Sequence, residues 1–315
     1  MLYITMDLKD KKILLTGGGG FLGKFVFKKL LEHGAEEKNI FAPGSREHDL
    51  REKEICKKAV EGRDLILHLA ASVGGLKFVR DFPGEAFYDS AAMSLNLIDA
   101  AYRAGVKKFV GVGSVCSYPK FAPLPFKEEN LWDGYPEPDN AFYGLAKKFM
   151  LVQTQAYRRQ YGFNGIHLLM VNLYGPGDNF NPERSHVIPA LIRKIAEAKK
   201  ASRDYIEVGG SGNASREFLY AEDAAEGIAL AAMRYDKPEP VNLGSGEEIS
   251  IRDLVATLCR LMDFKGEARW GANYPEGQPR RKFDVSKAQQ EFGFKAATNL
   301  ESGLKKTIEW YLEHE

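Results

Sequence analysis

The sequence predicts an α/β fold, in which a doubly wound parallel sheet carries helices on both faces and a smaller α/β domain follows. Short apolar runs alternate with longer amphipathic stretches through the first half of the chain. The apolar runs are continuous, which is typical of parallel strands that are covered on both faces. Crossovers between parallel strands are right-handed, so a doubly wound order is the simplest topology that connects them.

The elements follow one another in a regular order. Strands are predicted at 13–15, 40–42, 65–67, 109–112 and 166–171, and helices at 21–31, about 86–102 and 140–161. A helix at 222–233 and a strand at 241–243 return to the same sheet. Proline, asparagine and glycine crowd residues 175–182, where the pattern changes. We therefore expect a first domain of residues 1–174 plus about 216–245, and a second domain of about 175–215 and 246–315.

Composition excludes several classes of function. The chain has 44 Lys and Arg against 43 Asp and Glu, a net charge of +1, so no basic field is available for nucleic acid. Three widely spaced cysteines, Cys56, Cys116 and Cys259, argue against a disulfide framework and a zinc site. No segment approaches the ~20 apolar residues of a membrane span, and the first residues lack a signal-peptide core. We expect a cytoplasmic protein with no metal and no membrane or nucleic-acid partner.

A glycine-rich turn joins the first strand to the first helix. Gly17, Gly20 and Gly23 are spaced G-x-x-G-x-x-G around Phe21 and Leu22. Such glycines allow a tight turn, close approach of the backbone to a pyrophosphate, and close packing of the helix on the strand. The helix N-terminus attracts the anion. The turn therefore predicts a dinucleotide-binding site.

The end of the second strand favours NADP(H) over NAD(H). An acidic residue about 20 positions past the glycines would bind the ribose 2′-hydroxyl of NAD. Here the strand ends without a carboxylate, and Ser45 and Arg46 follow it. A hydroxyl and a guanidinium suit a 2′-phosphate, so the predicted cofactor is NADP(H).

Three polar residues form a candidate catalytic set. Tyr143 and Lys147 are four residues apart on one face of the predicted helix. An ammonium beside a phenol is expected to lower the pKa of the phenol towards the working range. Ser114 lies at the carboxyl end of a predicted parallel strand, where ligands of such sheets bind. Cys116 follows two residues later, and an extended backbone would aim both side chains to the same side.

These residues resemble the extended short-chain dehydrogenase/reductases and, within them, the epimerase-reductases of GDP-4-keto-6-deoxy-mannose. The resemblance covers nearly the whole chain and is carried by the glycine turn, Ser114, Tyr143 and Lys147. It continues through segments 70–75, 113–120, 172–180, 185–191, 216–219 and 275–281. The S-x-C-x-Y-P-K and S-H-V-I-P-A-L motifs are far more specific than the glycines. The resemblance implies a Rossmann-type fold, NADPH-dependent chemistry on a GDP-linked sugar, and a homodimer formed through the helix of Tyr143 and the helix before Tyr102.

The resemblance also implies roles for individual residues. Ser114, Tyr143 and Lys147 would form the reductase triad, and Cys116 and His186 the acid/base pair of epimerisation. His186 comes from the second domain and would reach the sugar from another side. Cofactor contacts beyond the glycine turn, Ser45 and Arg46 would come from Asp49, Leu50, Ala70, Ala71, Tyr143, Lys147, Asn172 and His186. Contacts to the sugar nucleotide would come from Lys194, Arg216, Glu276 and Arg281.

One departure and several alternatives accompany this hypothesis. Gly209 stands where many members of the family have Trp, so an aromatic wall of the substrate site is expected to be missing. A sugar-nucleotide 4,6-dehydratase is disfavoured, because Val115 and Cys116 replace its acidic pair. Three other interpretations stay open: a reductase of another GDP-4-keto sugar such as a heptose without epimerase activity, an NAD-dependent nucleotide-sugar 4-epimerase, and a non-catalytic NADP-binding sensor.

Overall fold

The computed structural model describes residues 5–271 and 277–315. The strands of its main sheet are β1 (Ile13–Thr16), β2 (Ile40–Phe41), β3 (Leu65–His68), β4 (Lys108–Ser114), β5 (Gly165–Met170) and β9 (Val241–Leu243). This sheet is parallel throughout, with the strand order β2-β1-β3-β4-β5-β9. The predicted doubly wound α/β fold is confirmed.

Helices cover both faces of this sheet, because successive strand residues point to opposite sides. They are α1 (Phe21–Glu32), α2 (Lys53–Val60), α3 (Leu76–Asp81), α4 (Pro83–Arg103), α5 (Ala141–Tyr161) and α7 (Ala221–Arg234). Ile13 and Leu15 share one apolar cluster with α1 and α7, whereas Leu14 and Ile66 belong to another with α2 and α4. All four side chains are fully buried. The continuous apolar runs of the sequence are thus explained by two covered faces.

A second region carries two small sheets. In the first, β8 (Ser215–Tyr220) pairs with β6 (Asn172–Tyr174), β10 (Glu248–Ser250) and β12 (Arg280–Arg281). In the second, β7 (Tyr205–Gly209) pairs in parallel with β11 (Glu267–Gly271). Helices α6 (Val187–Lys200), α8 (Ile251–Leu261) and α10 (Leu300–His314) pack on them in a separate apolar cluster, and α9 (Ser286–Phe292) packs on α7 and β9.

Between residues 171 and 245 the chain passes from the main sheet to the second region and back again. The segment 215–245 contributes β8 to the small sheet, then α7 to a face of the main sheet and β9 to its edge. The residue boundaries of the two domains stay a prediction. In the part of the chain that the structure describes, no helix combines the length and apolarity needed to cross a membrane.

Candidate active site

A cleft of about 1130 Å³ opens between the carboxyl ends of the main-sheet strands and the second region. It lies beside the point where the strand order reverses, between β1 and β3, which is where open α/β sheets bind ligands. The cleft brings together sixteen of the residues predicted from the sequence. They are Gly17, Gly20, Phe21, Leu22, Gly23, Ala70, Ala71, Ser114, Cys116, Tyr143, Lys147, Asn172, His186, Lys194, Arg216 and Arg281.

The glycine turn fits a dinucleotide pyrophosphate. Gly17 has φ 73°, in the left-handed region that glycine favours, and the Gly20 amide donates to its carbonyl at 3.0 Å. A Cβ at Gly23 would lie 2.1 Å from the Gly17 carbonyl oxygen, so only glycine lets α1 pack this closely on the turn. Gly20 precedes α1 without a side-chain cap. The first backbone N–H groups of α1 are therefore available to an anion.

Of the other residues predicted to bind the cofactor, some line the cleft and others lie outside it. Ser45 and Arg46 occupy the exposed loop after β2, outside the cleft lining. Asp49 pairs with Arg51 at 2.6 Å, and Leu50 is buried in the core. Ala70, by contrast, closes the cleft beside the turn, and its amide donates to Thr16 Oγ1 at 3.3 Å. The cleft therefore holds the part of the predicted cofactor site that faces the turn, and the loop after β2 lies beyond it.

Ser114 and Cys116 both line the cleft at the end of β4. The Cys116 amide donates to Ser114 Oγ at 3.2 Å. The expected extended backbone is wrong here, because Val115–Ser117 forms a short 3-10 turn. Ser114 caps that turn with its own side chain, a common way to satisfy a free N–H at a helix start.

Helix α5 brings Tyr143 against this turn. A Cβ at Gly144 would lie 2.0 Å from the Cys116 carbonyl oxygen. The Ser117 hydroxyl donates to the Gly144 carbonyl at 2.9 Å. Gly144 therefore sets how closely the tyrosine approaches Ser114 and Cys116. Sequence reasoning missed this residue, although its position directly after Tyr143 was the available signal.

The protonation of Tyr143 and Lys147 is governed by burial. Burial raises the pKa of Tyr143, and the nearby Cys116 adds to the rise. Burial also lowers the pKa of Lys147 to about 8, and its ammonium donates to the Val112 carbonyl at 2.9 Å. The expected lowering of the Tyr143 pKa is thus wrong, because the loss of solvent around the phenol is the largest influence on its pKa. Tyr143 is therefore held in its proton-donating form.

His186 faces the cleft from the second region, at the residue before α6. The segment before it is tied to the loop that ends at Gly75, whose amide donates to the Arg184 carbonyl at 2.9 Å. A Cβ at Gly75 would lie 2.4 Å from the Ser185 carbonyl oxygen. Burial against the cleft walls lowers the pKa of the His186 imidazole. This shift favours the neutral ring, which can accept a proton.

Two arginines lie side by side next to Cys116. Arg216 and Arg281 are register partners on β8 and β12. Arg281 is buried; its Nε donates to Gln278 at 3.0 Å and its Nη1 lies 3.8 Å from Cys116 Sγ. Burial, with Arg281 adding to it, lowers the pKa of Arg216 to about 10. Two neighbouring guanidinium groups in a cleft favour a multiply charged anion such as a diphosphate.

Comparison with known proteins agrees with this geometry. The model of the NAD dependent epimerase/dehydratase family matches residues 13–244. This chain belongs to that family. GDP-L-fucose synthase 1 of Arabidopsis thaliana is 37% identical over 312 residues, which cover 98% of this chain and 96% of that protein. The resemblance to GDP-linked epimerase-reductases is thereby confirmed.

Two solved structures of the same type superpose over the whole chain. A GDP-L-fucose synthetase from Naegleria fowleri bound to NADP has a TM-score of 0.87 and 30% identity, and covers 99% of this chain and 97% of its own. A GDP-6-OMe-4-keto-L-xylo-heptose reductase from C. jejuni has a TM-score of 0.90 and 26% identity, and covers 99% and 100%. The family likeness therefore includes both fucose synthetases and heptose reductases.

The remaining predicted site residues are Lys194, Asn172 and Glu276, together with the substitution at Gly209. Lys194 Nζ donates to the Glu207 carbonyl at 2.9 Å, and burial lowers the pKa of this lysine. Asn172 lines the cleft, and its side-chain amide donates to the Glu217 carbonyl at 2.9 Å. Glu276 lies outside the described residues. Gly209 lines the cleft as expected, but Trp270 from the neighbouring strand also lines it. An aromatic side chain is therefore present at this end of the cleft.

Proposed function

We propose that the protein converts GDP-4-keto-6-deoxy-mannose to GDP-L-fucose, by epimerising carbons 3 and 5 and reducing the ketone at carbon 4. The observation that carries the proposal is a single cleft lined by Ser114, Tyr143 and Lys147 together with Cys116 and His186. The first three suit carbonyl reduction, and the last two suit proton exchange beside a ketone. A relative named GDP-L-fucose synthase and a solved structure named GDP-L-fucose synthetase support GDP-L-fucose as the product.

NADPH supplies the hydride for carbon 4 when it is bound. The glycine turn with Phe21 and Leu22 would hold its pyrophosphate, and Ser45 and Arg46 would hold its 2′-phosphate. Ala70, Ala71, Asn172 and His186 line the cleft and would complete the cofactor site there. Asp49 and Leu50 follow the Ser45–Arg46 loop outside the cleft, so Leu50 would contribute through its backbone. The fit rests on the close packing of Gly23 against Gly17, which leaves backbone N–H groups rather than side chains at the turn.

The triad handles the carbonyl oxygen. Tyr143 donates its phenolic proton to that oxygen as the alkoxide forms, and burial keeps the phenol protonated until then. Ser114, fixed by the bond from the Cys116 amide, donates a second hydrogen bond to the oxygen. The Lys147 ammonium stabilises the phenolate that remains.

Cys116 and His186 handle the carbons on either side of the ketone. A ketone at carbon 4 acidifies the C–H bonds at carbons 3 and 5, so one group removes a proton and another returns one from the opposite face. Cys116 approaches from the end of β4 and His186 from the start of α6. The enolate charge develops on the oxygen that Ser114 and Tyr143 bind. Epimerisation therefore uses the same oxygen site as reduction.

A second candidate is reduction of another GDP-4-keto sugar, such as a heptose, without epimerisation. The structural match to the heptose reductase favours it. The placement of Cys116 and His186 in the cleft favours the epimerase-reductase, because reduction alone uses neither residue.

The direct test is incubation with GDP-4-keto-6-deoxy-mannose and NADPH, followed at 340 nm and by NMR of the product. GDP-L-fucose with equimolar NADPH oxidation is expected. A product that keeps the mannose configuration at carbons 3 and 5 would leave the heptose-type reductase as the better account. Binding of NADPH without oxidation by any 4-keto sugar would support the sensor.

The loop after β2 should set cofactor preference. NADPH is expected to bind more tightly than NADH, and Arg46→Ala should remove about a ten- to hundredfold advantage, the range for one charge-assisted phosphate contact. Dissociation constants for both cofactors from fluorescence titration measure this. Arg260→Ala is the matched control, because Arg260 is exposed and pairs with Glu301 away from the cleft. Equal affinities of the parent protein for the two cofactors would contradict the assignment.

Reduction should decline as pH rises through about 8. Lys147 carries its charge below its pKa of about 8 and loses it above, whereas Tyr143 stays protonated throughout. The profile of kcat/KM, measured with a ketone whose stereochemistry is already set, should therefore fall on the alkaline side. In Lys147→Arg the charge persists, so any remaining activity should show no such fall. A parent profile that is flat from pH 7 to 10 would refute this role of Lys147.

We further propose a homodimer in a reducing, cytoplasmic compartment. Helices α4 and α5 pack together, and their outer faces carry exposed apolar side chains. These are Phe87, Tyr88, Leu95, Phe142, Phe149 and Val152. A face of this kind supports association with a second copy. The three cysteines are unpaired, which supports the compartment.

A further inference from the structure

Trp270 lines one end of the cleft on a support that fixes its ring. It stands on β11, opposite Val208 of β7. The Arg252 guanidinium lies over the ring, 4.8 Å from its centroid. Gly212, at φ 80°, packs so closely that a Cβ there would lie 2.7 Å from the benzo edge of the indole. The ring is therefore held by two groups before any ligand arrives.

Arg252 is fixed in turn by the loop after β7. Its Nη2 donates to the Ser211 carbonyl at 2.6 Å, and its backbone amide donates to the Gly212 carbonyl at 3.0 Å. Gly209 at the end of β7 and Gly210 and Gly212 of the same loop line the cleft with backbone, and Ser211 is the one residue between them that carries a side chain. This end of the cleft thus combines one large planar ring with an adjoining strip that is mostly backbone. A flat ligand fits such a surface better than a branched one.

Cationic groups link this end of the cleft to the catalytic end. Arg281 contacts Cys116 Sγ, and its register partner on the neighbouring strand is Arg216. Lys194 donates to the Glu207 carbonyl of β7, the strand that pairs with that of Trp270. A ligand that reaches from Tyr143 to Trp270 therefore has three cations along its course. Along the cleft, the catalytic residues would face a keto sugar, the cations a diphosphate, and the Trp270 ring a nucleobase. This order matches a sugar joined through a diphosphate to a nucleobase.

We propose that Trp270 is the residue on which the nucleobase of the substrate stacks. The inference rests on the proposed function, in that the cleft is taken to bind a nucleoside diphosphate sugar. Stacking on an aromatic ring is stronger for a larger base, so the site favours a purine such as guanine over uracil. In this chain the strand next to β7 supplies the aromatic surface, and Gly209 leaves room for the base beside it.

The test measures binding of GDP to the parent protein and to its variants by calorimetry, with no keto sugar and no NADPH. Trp270→Ala should weaken GDP about fivefold to a hundredfold, the range for one base stacked on an aromatic ring. Trp270→Phe should keep most of the affinity. Trp132→Ala is the matched control and should bind GDP like the parent, because Trp132 is exposed and lies outside the cleft.

Fluorescence gives a second readout that leaves Trp270 itself unchanged. In the protein carrying Trp132→Phe and Trp310→Phe, Trp270 is the one remaining tryptophan. GDP should quench its emission, UDP should do so more weakly at equal concentration, and inorganic pyrophosphate should leave it unchanged. A quench by pyrophosphate equal to that by GDP would overturn the proposal.

The proposal fails if folded Trp270→Ala binds GDP as tightly as the parent, or if the parent binds no GDP. It also fails if Trp270→Phe loses as much affinity as Trp270→Ala while both melt like the parent. Failure of the proposed function looks different. GDP binding that depends on Trp270, without turnover of GDP-4-keto-6-deoxy-mannose, would leave the stacking intact and refute only the reaction.

Discussion

Tyr143→Phe should slow reduction of the 4-keto sugar about 10²–10⁴-fold while NADPH still binds. The substitution removes the phenolic proton that the carbonyl oxygen needs and leaves the ring in place. Neither neighbouring group is expected to replace the phenol, because the Ser114 hydroxyl is a far weaker acid and the Cys116 thiol is proposed to serve carbons 3 and 5. Single-turnover oxidation of NADPH at 340 nm measures the chemical step without a contribution from product release.

Two observations control this experiment. Tyr135→Phe makes the same chemical change at an exposed tyrosine outside the cleft, so its rate should match the parent. The dissociation constant of NADPH for Tyr143→Phe should stay within a few-fold of the parent value. A Phe variant that reduces the ketone at a near-normal rate would remove Tyr143 from its proposed role as proton donor.

Cys116→Ser should abolish proton exchange at carbons 3 and 5 and spare reduction. In deuterated water without NADPH, the parent should exchange both positions, because the ketone alone acidifies them. A serine hydroxyl ionises far less readily than a thiol, whose ordinary pKa is about 8.5, so exchange should fall by about 10²-fold or more. Reduction of a ketone whose stereochemistry is already set should change only a few-fold, because Tyr143 supplies that proton.

The matched control is Cys259→Ser. Cys259 is partly buried against the apolar cluster of the second region and does not line the cleft, so exchange should persist. His186→Asn should resemble Cys116→Ser, since His186 is the proposed acid/base partner of Cys116 on the other side of the site. Exchange that survives in both Cys116→Ser and His186→Asn would make the pair structural.

Local sequence patterns predicted the strands and the long helices of the main sheet. Strands such as β1 and β3 are buried on both faces, so they appear in the sequence as continuous apolar runs. The short helices α2 and α3 were not predicted, because eight and six residues carry little periodic signal. The glycine turn and the spacing of Tyr143 and Lys147 are also local, so their placement in the cleft followed from sequence.

Features that depend on contacts between distant segments could not be predicted in this way. Gly144 matters because it touches the Cys116 backbone, and Gly75 because it touches Ser185. The raised pKa of Tyr143 follows from burial, whereas the helix spacing indicated only the nearby ammonium. The absence of Trp at position 209 predicted a missing aromatic wall. Only the pairing of β7 with β11 places Trp270 at the same end of the cleft.

The central claim is that one site both epimerises and reduces. Its most direct test is the deuterium content of the product formed by the parent enzyme from GDP-4-keto-6-deoxy-mannose and NADPH in deuterated water. We predict GDP-L-fucose with deuterium at both carbon 3 and carbon 5 and protium from NADPH at carbon 4, as read by NMR. A reduced sugar without deuterium at carbons 3 and 5, in its original configuration there, would contradict the claim.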